Sequence, residues 1–496
     1  MTDILNSLKE AQAKALELNK GYTQSASPVQ GLTGYDLANP AKQVTPVLTP
    51  LRNLIARVAD GFGNAHNYKL ITNINVSNQG LGIPEASRGS VIDHDVVDKS
   101  AYYKTLGQDD FITWEAIEAA KNFDDIKAIR ARNHLMSVMV QEEKLDYAGN
   151  GSLALGKAAT PTVATAATGG SLPESTTYKV GVVALSLTGY EQLAGSNNGA
   201  IGSDVVLTGL VSRVTVTPTS SDSFVRNLGV GQKSDLATQA TAAGTATNVI
   251  TASVTAVPGA AGYAWFFGPS GSEKLVAVTT INSVIIKALP ATGNTTYASL
   301  VDADCSVDSR VYDGLFTQCF LGNGSYVKQM DNGTAGVGTE LTSDGSAGIV
   351  EINDAFEYFW NKLKCSPKYI VLTAKMHKQI TSKIINGGGY RSNVQNGGAF
   401  VVQGGGRITN ILNPITGDEV QFIIHPNAVK GTLLFLFTEV PSLTNVTNLI
   451  EKKLRYDYRQ VEYVMTKRQY DYGIYFDGTL IHYLPQASGV IFNIKE

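Results

Sequence analysis

The sequence predicts an α+β protein interrupted by an all-β insertion. Three observations carry this expectation. A charge-dense helical run stops at Gly149-Asn-Gly151, and the chain from about Thr160 to Ala298 then holds few charges and many short apolar runs. Mixed helical and strand patterns return after Asp304.

The 496 residues carry a formal net charge of −3 with 17% charged side chains. At ~100–200 residues per domain, this length suggests two to four folding units. Near-balanced charge excludes a whole-chain polybasic footprint for nucleic acid. The 49 glycines, about a tenth of the chain, favour strands and loops over a helical bundle. Three cysteines, Cys305, Cys319 and Cys365, with no CxxC pair, fit a reducing compartment without disulfides or structural zinc. The first residues lack the continuous apolar core of a signal peptide, and no run of ~20 apolar residues predicts a membrane span.

Residues 3–20 read as an amphipathic helix through Ile4, Leu8, Ala11, Ala15 and Leu18. Gly21 to Pro50, with four prolines, reads as an extended segment. A short helix is expected at Leu51–Val58, and strands at Tyr68–Val76 and Ser90–Val97, joined through a glycine-rich tip. Ala101–Phe111 reads as a returning strand, so that Tyr68 to Phe111 forms a hairpin arm. Thr113 is the expected N-cap of a helix, and Phe123 to Tyr147 the longest helix, its stripe formed by Ile126, Ile129, Met136 and Val140 and widened by Leu135, Val138 and Met139. Gly149 and Gly151 are expected to end it in left-handed conformations.

The charge-poor middle offers strand runs at Tyr178–Leu185, Val205–Val216, Ile250–Val257, Tyr263–Phe267, Leu275–Thr279 and Val284–Lys287, the pattern of a small β-sandwich. Beyond it, Gly348–Leu363 is an amphipathic helix with Ile352, Phe356 and Trp360 expected in the core. Lys368–Leu372 is a strand, Ala374–Ile385 a helix and Gly387–Phe400 a loop. Val420–His425, Leu433–Phe437, Tyr456–Val464, Tyr470–Phe476, Thr479–Leu484 and Val490–Ile494 complete the strands.

Several separated pieces together resemble the major capsid proteins of tailed bacteriophages with the Hong-Kong-97-type fold. These are Glu142-Glu-Lys-Leu-Asp-Tyr-Ala-Gly-Asn-Gly-Ser152, Val311-Tyr-Asp-Gly-Leu-Phe-Thr-Gln318, Ser366-Pro-Lys-Tyr-Ile-Val-Leu-Thr-Ala-Lys-Met-His377 and Arg468-Gln-Tyr-Asp-Tyr-Gly-Ile-Tyr-Phe-Asp-Gly-Thr-Leu480. The resemblance covers residues 1–152 and 303–496. It implies an N-terminal arm (1–66), an E-loop hairpin (67–112), the spine helix of a peripheral (P) domain (113–152), a P-domain return (303–347), an axial (A) domain (348–440) and closing P-domain strands (441–496). Residues 153–302 depart from that pattern. Ala256-Val-Pro-Gly-Ala-Ala-Gly-Tyr-Ala-Trp-Phe266 and Thr176-Thr-Tyr-Lys-Val-Gly-Val-Val-Ala-Leu185 resemble strands of fibronectin type III domains, which implies an inserted immunoglobulin-like sandwich, circularly permuted.

What the resemblance implies is a non-enzymatic subunit that assembles with itself into hexamers and pentamers of an icosahedral shell. Such a shell forms in the host cytoplasm and becomes the virion capsid. Scaffold, portal and decoration proteins, non-specific contact with packaged double-stranded DNA, and a host-surface glycan at the insertion are the further partners it suggests. Assembly contacts are expected at the hairpin tip, through Leu81, Ile83, Val91, Val96 and Val97. Some relatives crosslink covalently from a hairpin lysine, and Lys99 and Lys104 stand in that region.

The residues offer no competing chemistry of comparable weight. Ile92-Asp-His-Asp95 reads as a solvated strand edge before it reads as a metal site. Asp302, Asp304, Ser306, Asp308 and Asp313 imitate a calcium loop, but Val307 stands where glycine is needed, so a linker is the better reading. No cofactor or metal is expected, and the glycine runs at 387 and 404 lack a phosphate-loop context. A secreted or surface carbohydrate-binding or carbohydrate-active protein with a β accessory module is the alternative, but no carboxylate pair stands out for catalysis.

Overall fold

The computed structural model describes residues 6–10, 13, 47–75, 82–89, 93–121, 125–193, 206–217, 223–244, 246–346, 348–386, 408–441 and 445–496. The expected loop Gly387–Phe400, most of the expected helix 3–20 and the extended segment before Val47 lie outside these residues. The chain divides into two compact units. One comprises Met1–Pro46, Asp110–Asn133 and Tyr463–Asp471, and the other Val47–Asp109, His134–Glu462 and Tyr472–Glu496.

Helix α1 (Pro50–Leu54) is followed by strand β1 (Ala56–Val58). The expected helix Leu51–Val58 is therefore only half helical, because its second half pairs in parallel with a strand some 400 residues later. Strands β2 (Ala65–Asn75) and β3 (Asp93–Tyr102) form the hairpin, and β4 (Lys104–Thr113) follows. The returning strand expected at Ala101–Phe111 is split at Tyr103: β4 leaves the hairpin and joins a different sheet. Thr113 caps α2 (Trp114–Ala120) by accepting from Ala116 N at 3.3 Å. Within the smaller unit Lys127 Nζ lies 3.7 Å from the Tyr470 ring centroid, and Arg468 pairs with Glu115 at 3.0 Å.

Helix α3 (Ile126–Ala148) is the longest, as expected. Of the expected apolar positions its buried residues include only Val138. They are His134, Val138, Glu142, Glu143, Asp146, Tyr147 and Ala148. Neither Gly149 nor Gly151 adopts positive φ. Glycine is needed there for space: a Cβ on Gly149 would stand 2.5 Å from Tyr312 O, and one on Gly151 would collide with Val311 O.

The middle of the chain holds β5 (Thr162–Ala166), β6 (Thr177–Leu185), α4 (Leu187–Glu191), β7 (Arg213–Val216), β8 (Phe224–Asn227), β9 (Ala237–Ala240), β10 (Val249–Ser253), β11 (Gly262–Gly268), β12 (Lys274–Thr279) and β13 (Ser283–Ile286). A three-stranded sheet, β13-β10-β5, faces a four-stranded sheet, β12-β11-β6-β9. Strand β11 is buried throughout, and its alternation explains why. Tyr263, Trp265 and Phe267 fill the core between the sheets, while Ala264 and Phe266 pack on the opposite face against Leu193, Leu207, Leu210 and Leu300. The expected strand Val205–Val216 is cut to its last four residues, because Leu207 and Leu210 belong to this covering layer.

This β region also packs onto the rest of its unit. Leu187, Ala256 and Ala261 share a cluster with Tyr147, Tyr312, Leu315 and Phe316, and Asn282 N donates to Asn493 Oδ1 at 3.0 Å.

The remaining elements are α5 (Leu315–Cys319), β14 (Tyr326–Gln329), α6 (Val350–Leu363), β15 (Tyr369–Leu372), α7 (Ala374–Asn386), β16 (Asn410–Leu412), β17 (Glu419–Ile424), β18 (Leu433–Leu436), β19 (Ile450–Glu462), β20 (Gln469–His482) and β21 (Ser488–Phe492). A six-stranded sheet runs β14-β21-β18-β15-β17-β16. Helix α6 buries Ile352, Phe356 and Phe359 against it, whereas Trp360, expected in the core, is 39% exposed. The two expected strands at 470–476 and 479–484 are one: β20 runs unbroken and pairs with β19 in the sheet β1-β19-β20-β4.

Candidate functional site

Three features of the larger unit are built for positioning. The first is the hairpin. Among the described residues, β2 and β3 pair only with each other. Leu70 pairs with Val97 and Ile71 with Val96, and adjacent residues of a strand point to opposite faces. Val96 and Val97 therefore cannot share a face. Tyr68 and Leu70 alternate onto the inner face, where Tyr68 meets Tyr483 edge-on at 5.2 Å. Ile71 and Val96 occupy the outer face and are 67% and 49% exposed. Ile83, in the tip, is 54% exposed. Leu81 and Val91 lie outside the described residues.

The second is a buried charged cluster on α3, which no apolar pattern indicated. Lys452 of β19 donates from Nζ to Glu142 Oε1 at 2.6 Å, Asp146 Oδ1 at 2.5 Å and Tyr312 Oη at 2.8 Å. Glu142 also accepts from Arg52 Nε at 3.2 Å, Arg57 Nη1 at 2.5 Å and the Tyr458 hydroxyl. Burial alone would raise the Glu142 carboxyl, but Lys452 and Arg57 outweigh it and hold it down at about 2. Asp146 shifts the other way. Its burial is complete and it shares its one cation, so desolvation pushes it up to about 6 against Lys452.

Glu143 has a different task. Thr49 provides no side-chain cap for α1, and Glu143 supplies it from a distance, accepting from Leu51 N at 2.8 Å and Arg52 N at 2.7 Å. Asn427 N donates to His425 Nδ1 at 3.1 Å, so Nε2 carries the proton given to Glu143 Oε1 at 2.8 Å. The segment 50–57 is thus fastened to α3 by two adjacent carboxylates.

The third feature is the crossing where the chain enters and leaves the β region. Gly314 N donates to Gly149 O at 2.9 Å and Asp308 N to Asn150 O at 3.0 Å. Asp313 Oδ1 accepts from Gly151 N at 2.8 Å, and Asp304 Oδ2 from Gly156 N at 2.8 Å. Arg226 Nε meets Asp308 Oδ2 at 3.3 Å. Of the aspartates that imitate a calcium loop, Asp304, Asp308 and Asp313 are bonded to backbone amides or arginine and act as stitches, while Asp302 Oδ1 accepts from Gln232 Nε2 at 3.5 Å. Among the described residues no group of His, Cys, Asp or Glu is placed to hold a metal, and no helix is long and apolar enough to cross a membrane. Lys104 Nζ donates to Ser309 O at 2.7 Å, while Lys99 is exposed.

No family model and no curated protein matches the chain. Solved structures similar to it include the capsid of the native GTA particle, with a TM-score of 0.44 and 8% identity over 93% of this chain and 95% of that one. The capsid of Myoviridae phage XM1 gives 0.39 and 8%, over 92% and 96%. The holo-SrpI encapsulin complex from Synechococcus elongatus PCC 7942 gives 0.39 and 8%, over 94% and 97%.

Proposed function

We propose that the chain is a shell subunit, a major capsid protein of the Hong-Kong-97 type, that encloses a phage genome by assembling with copies of itself. The observation that carries this reading is the β2–β3 hairpin. Two strands of about ten residues pair with nothing else among the described residues and hold Ile71, Val96 and Ile83 in water. An isolated two-stranded hairpin is marginal in water, and its backbone edges and apolar outer face gain partners when a second copy covers them. In this reading Leu81, Ile83, Val91, Val96 and Val97 contribute to contacts between copies, with the outer face, Ile71 and Val96, foremost.

The domain assignment goes with it: arm 1–66, E-loop 67–112, spine 113–152, P-domain return 303–347, A domain 348–440 and closing strands 441–496. Residues 153–302 form an immunoglobulin-like insertion, and its packing on Tyr147, Tyr312 and Phe316 favours a stabilising role over glycan capture. Nothing favours the carbohydrate-active alternative: Glu142 and Asp146 are sealed against Lys452, not facing each other across an open cleft. Sizing and negative-stain microscopy of the purified full chain test the proposal. Closed particles are the expected result, and a stable monomer under all assembly conditions overturns it.

A further inference from the structure

A cavity of about 390 Å³ lies where the β region meets the main body of the larger unit. Its walls bring together Lys287 from the end of β13, Lys375 in the first turn of α7, Lys430 before β18 and Lys495. Lys495 is paired with Glu340 at 3.2 Å. Among the described residues Lys287, Lys375 and Lys430 have no carboxylate within ion-pair distance, whereas Lys144, Lys157, Lys328 and Lys383 each have one. Like charges lining one cavity repel one another and are stabilised by a shared counter-ion.

The one acidic side chain lining the cavity shows what its wall accepts. Thr373 caps α7, accepting from Met376 N at 3.1 Å, and its hydroxyl donates to the carboxylate of Glu496. An anionic group thus already sits at the positive end of a 13-residue helix. It offsets one of the three lysine charges and leaves an excess of two, with Lys430 Nζ lying 5.7 Å from the Tyr190 ring centroid. Val278, Ile281, Val284 and Val337 give the cavity apolar lining as well.

We propose that this cavity binds a polyphosphate-bearing anion. Three unpaired lysines from different elements of the chain call for an anion with several charged oxygens spread along its length, and lysine engages phosphate as a point charge without a fixed fork geometry. The phosphate chain has two sources, a free polyphosphate or a nucleotide whose nucleoside packs against the apolar lining residues. The volume suits a small ligand, at the lower end of the ~300–1,000 Å³ of small-molecule sites.

The test is calorimetric titration of the full chain with tripolyphosphate and, separately, with ATP at low ionic strength. Binding of both is expected. Equal affinity assigns the site to the phosphate chain, and tighter ATP binding assigns it to a nucleotide. The K375Q/K430Q variant, checked by circular dichroism, should bind about a hundredfold more weakly, since it removes two charge-assisted contacts worth about a factor of ten each. Glu496→Gln should bind more tightly, because the competing carboxylate is gone. The inference is overturned if neither triphosphate binds, or if K375Q/K430Q binds as the parent does.

Discussion

Glu142 and Asp146, one helical turn apart, share a single ammonium group, that of Lys452, at 2.6 and 2.5 Å. All three side chains are sealed from solvent, so the cation is the counter-charge for two carboxylates. Lys452→Met should therefore destabilise the chain by about 3–5 kcal/mol, since it strands buried charge. Urea unfolding measures this. A loss below ~1 kcal/mol would mean that the arginines and tyrosines around Glu142 suffice.

The pH response of the cluster is set by Asp146. Its folded carboxyl titrates at about 6, above the ordinary 3.8, so its contribution is fully present below pH 3.8 and is lost as pH rises through 6. Glu142 has the opposite sense, and its contribution is lost only as pH falls from 4.5 towards 2. The stability of the parent relative to Asp146→Asn should thus increase on acidification from pH 7 to 4, by up to about 3 kcal/mol. A difference that stays flat over this range contradicts the raised value.

Gly151→Ala adds a methyl group where Val311 O already stands. Backbone on both sides is fixed by the stitches to Asp313, so relief must break one of them. A loss of at least about 2 kcal/mol is expected, readable as a lowered thermal midpoint.

Removing 158–300 behind a short linker uncovers the parts of Tyr147, Tyr312 and Phe316 that Leu187, Ala256 and Ala261 now cover. The shortened chain is expected to melt earlier and to bind a hydrophobic dye. An unchanged melt would show that this packing contributes nothing to the remaining fold.

Leu81→Asp with Ile83→Asp should leave the monomer folded, because Ile83 projects into water. Assembly should fail, since each carboxylate buried unpaired at a contact between copies costs several kcal/mol, roughly 3 or more. Normal particles from the double variant would remove the hairpin from the assembly contacts.

Where local periodicity decides structure, the sequence was readable. Helices α3, α6 and α7 and strands β6, β11, β12 and β15 fall within a few residues of expectation. The failures share a cause. Residues 56–58 were drawn into a parallel strand by β19, and Leu207 and Leu210 into a covering layer by Phe266. The buried face of α3 was hidden most deeply. Glu142, Glu143 and Asp146 carry no apolar signal, and their burial depends on Arg52, Arg57, His425 and Lys452, which arrive from distant positions. The hairpin was legible as a unit, but the division of Val96 and Val97 between two faces follows only from the register.

The crossing at Gly149–Gly156 and Asp304–Gly314 also determines how the chain bears load. The two segments that carry the β region leave side by side and are bonded to each other at several points. Tension applied to that region does not reach α3 through a single covalent thread. It is shared among several parallel bonds that must rupture nearly together, so the junction resists tugging as a seam does, and the helix behind it feels little of the pull.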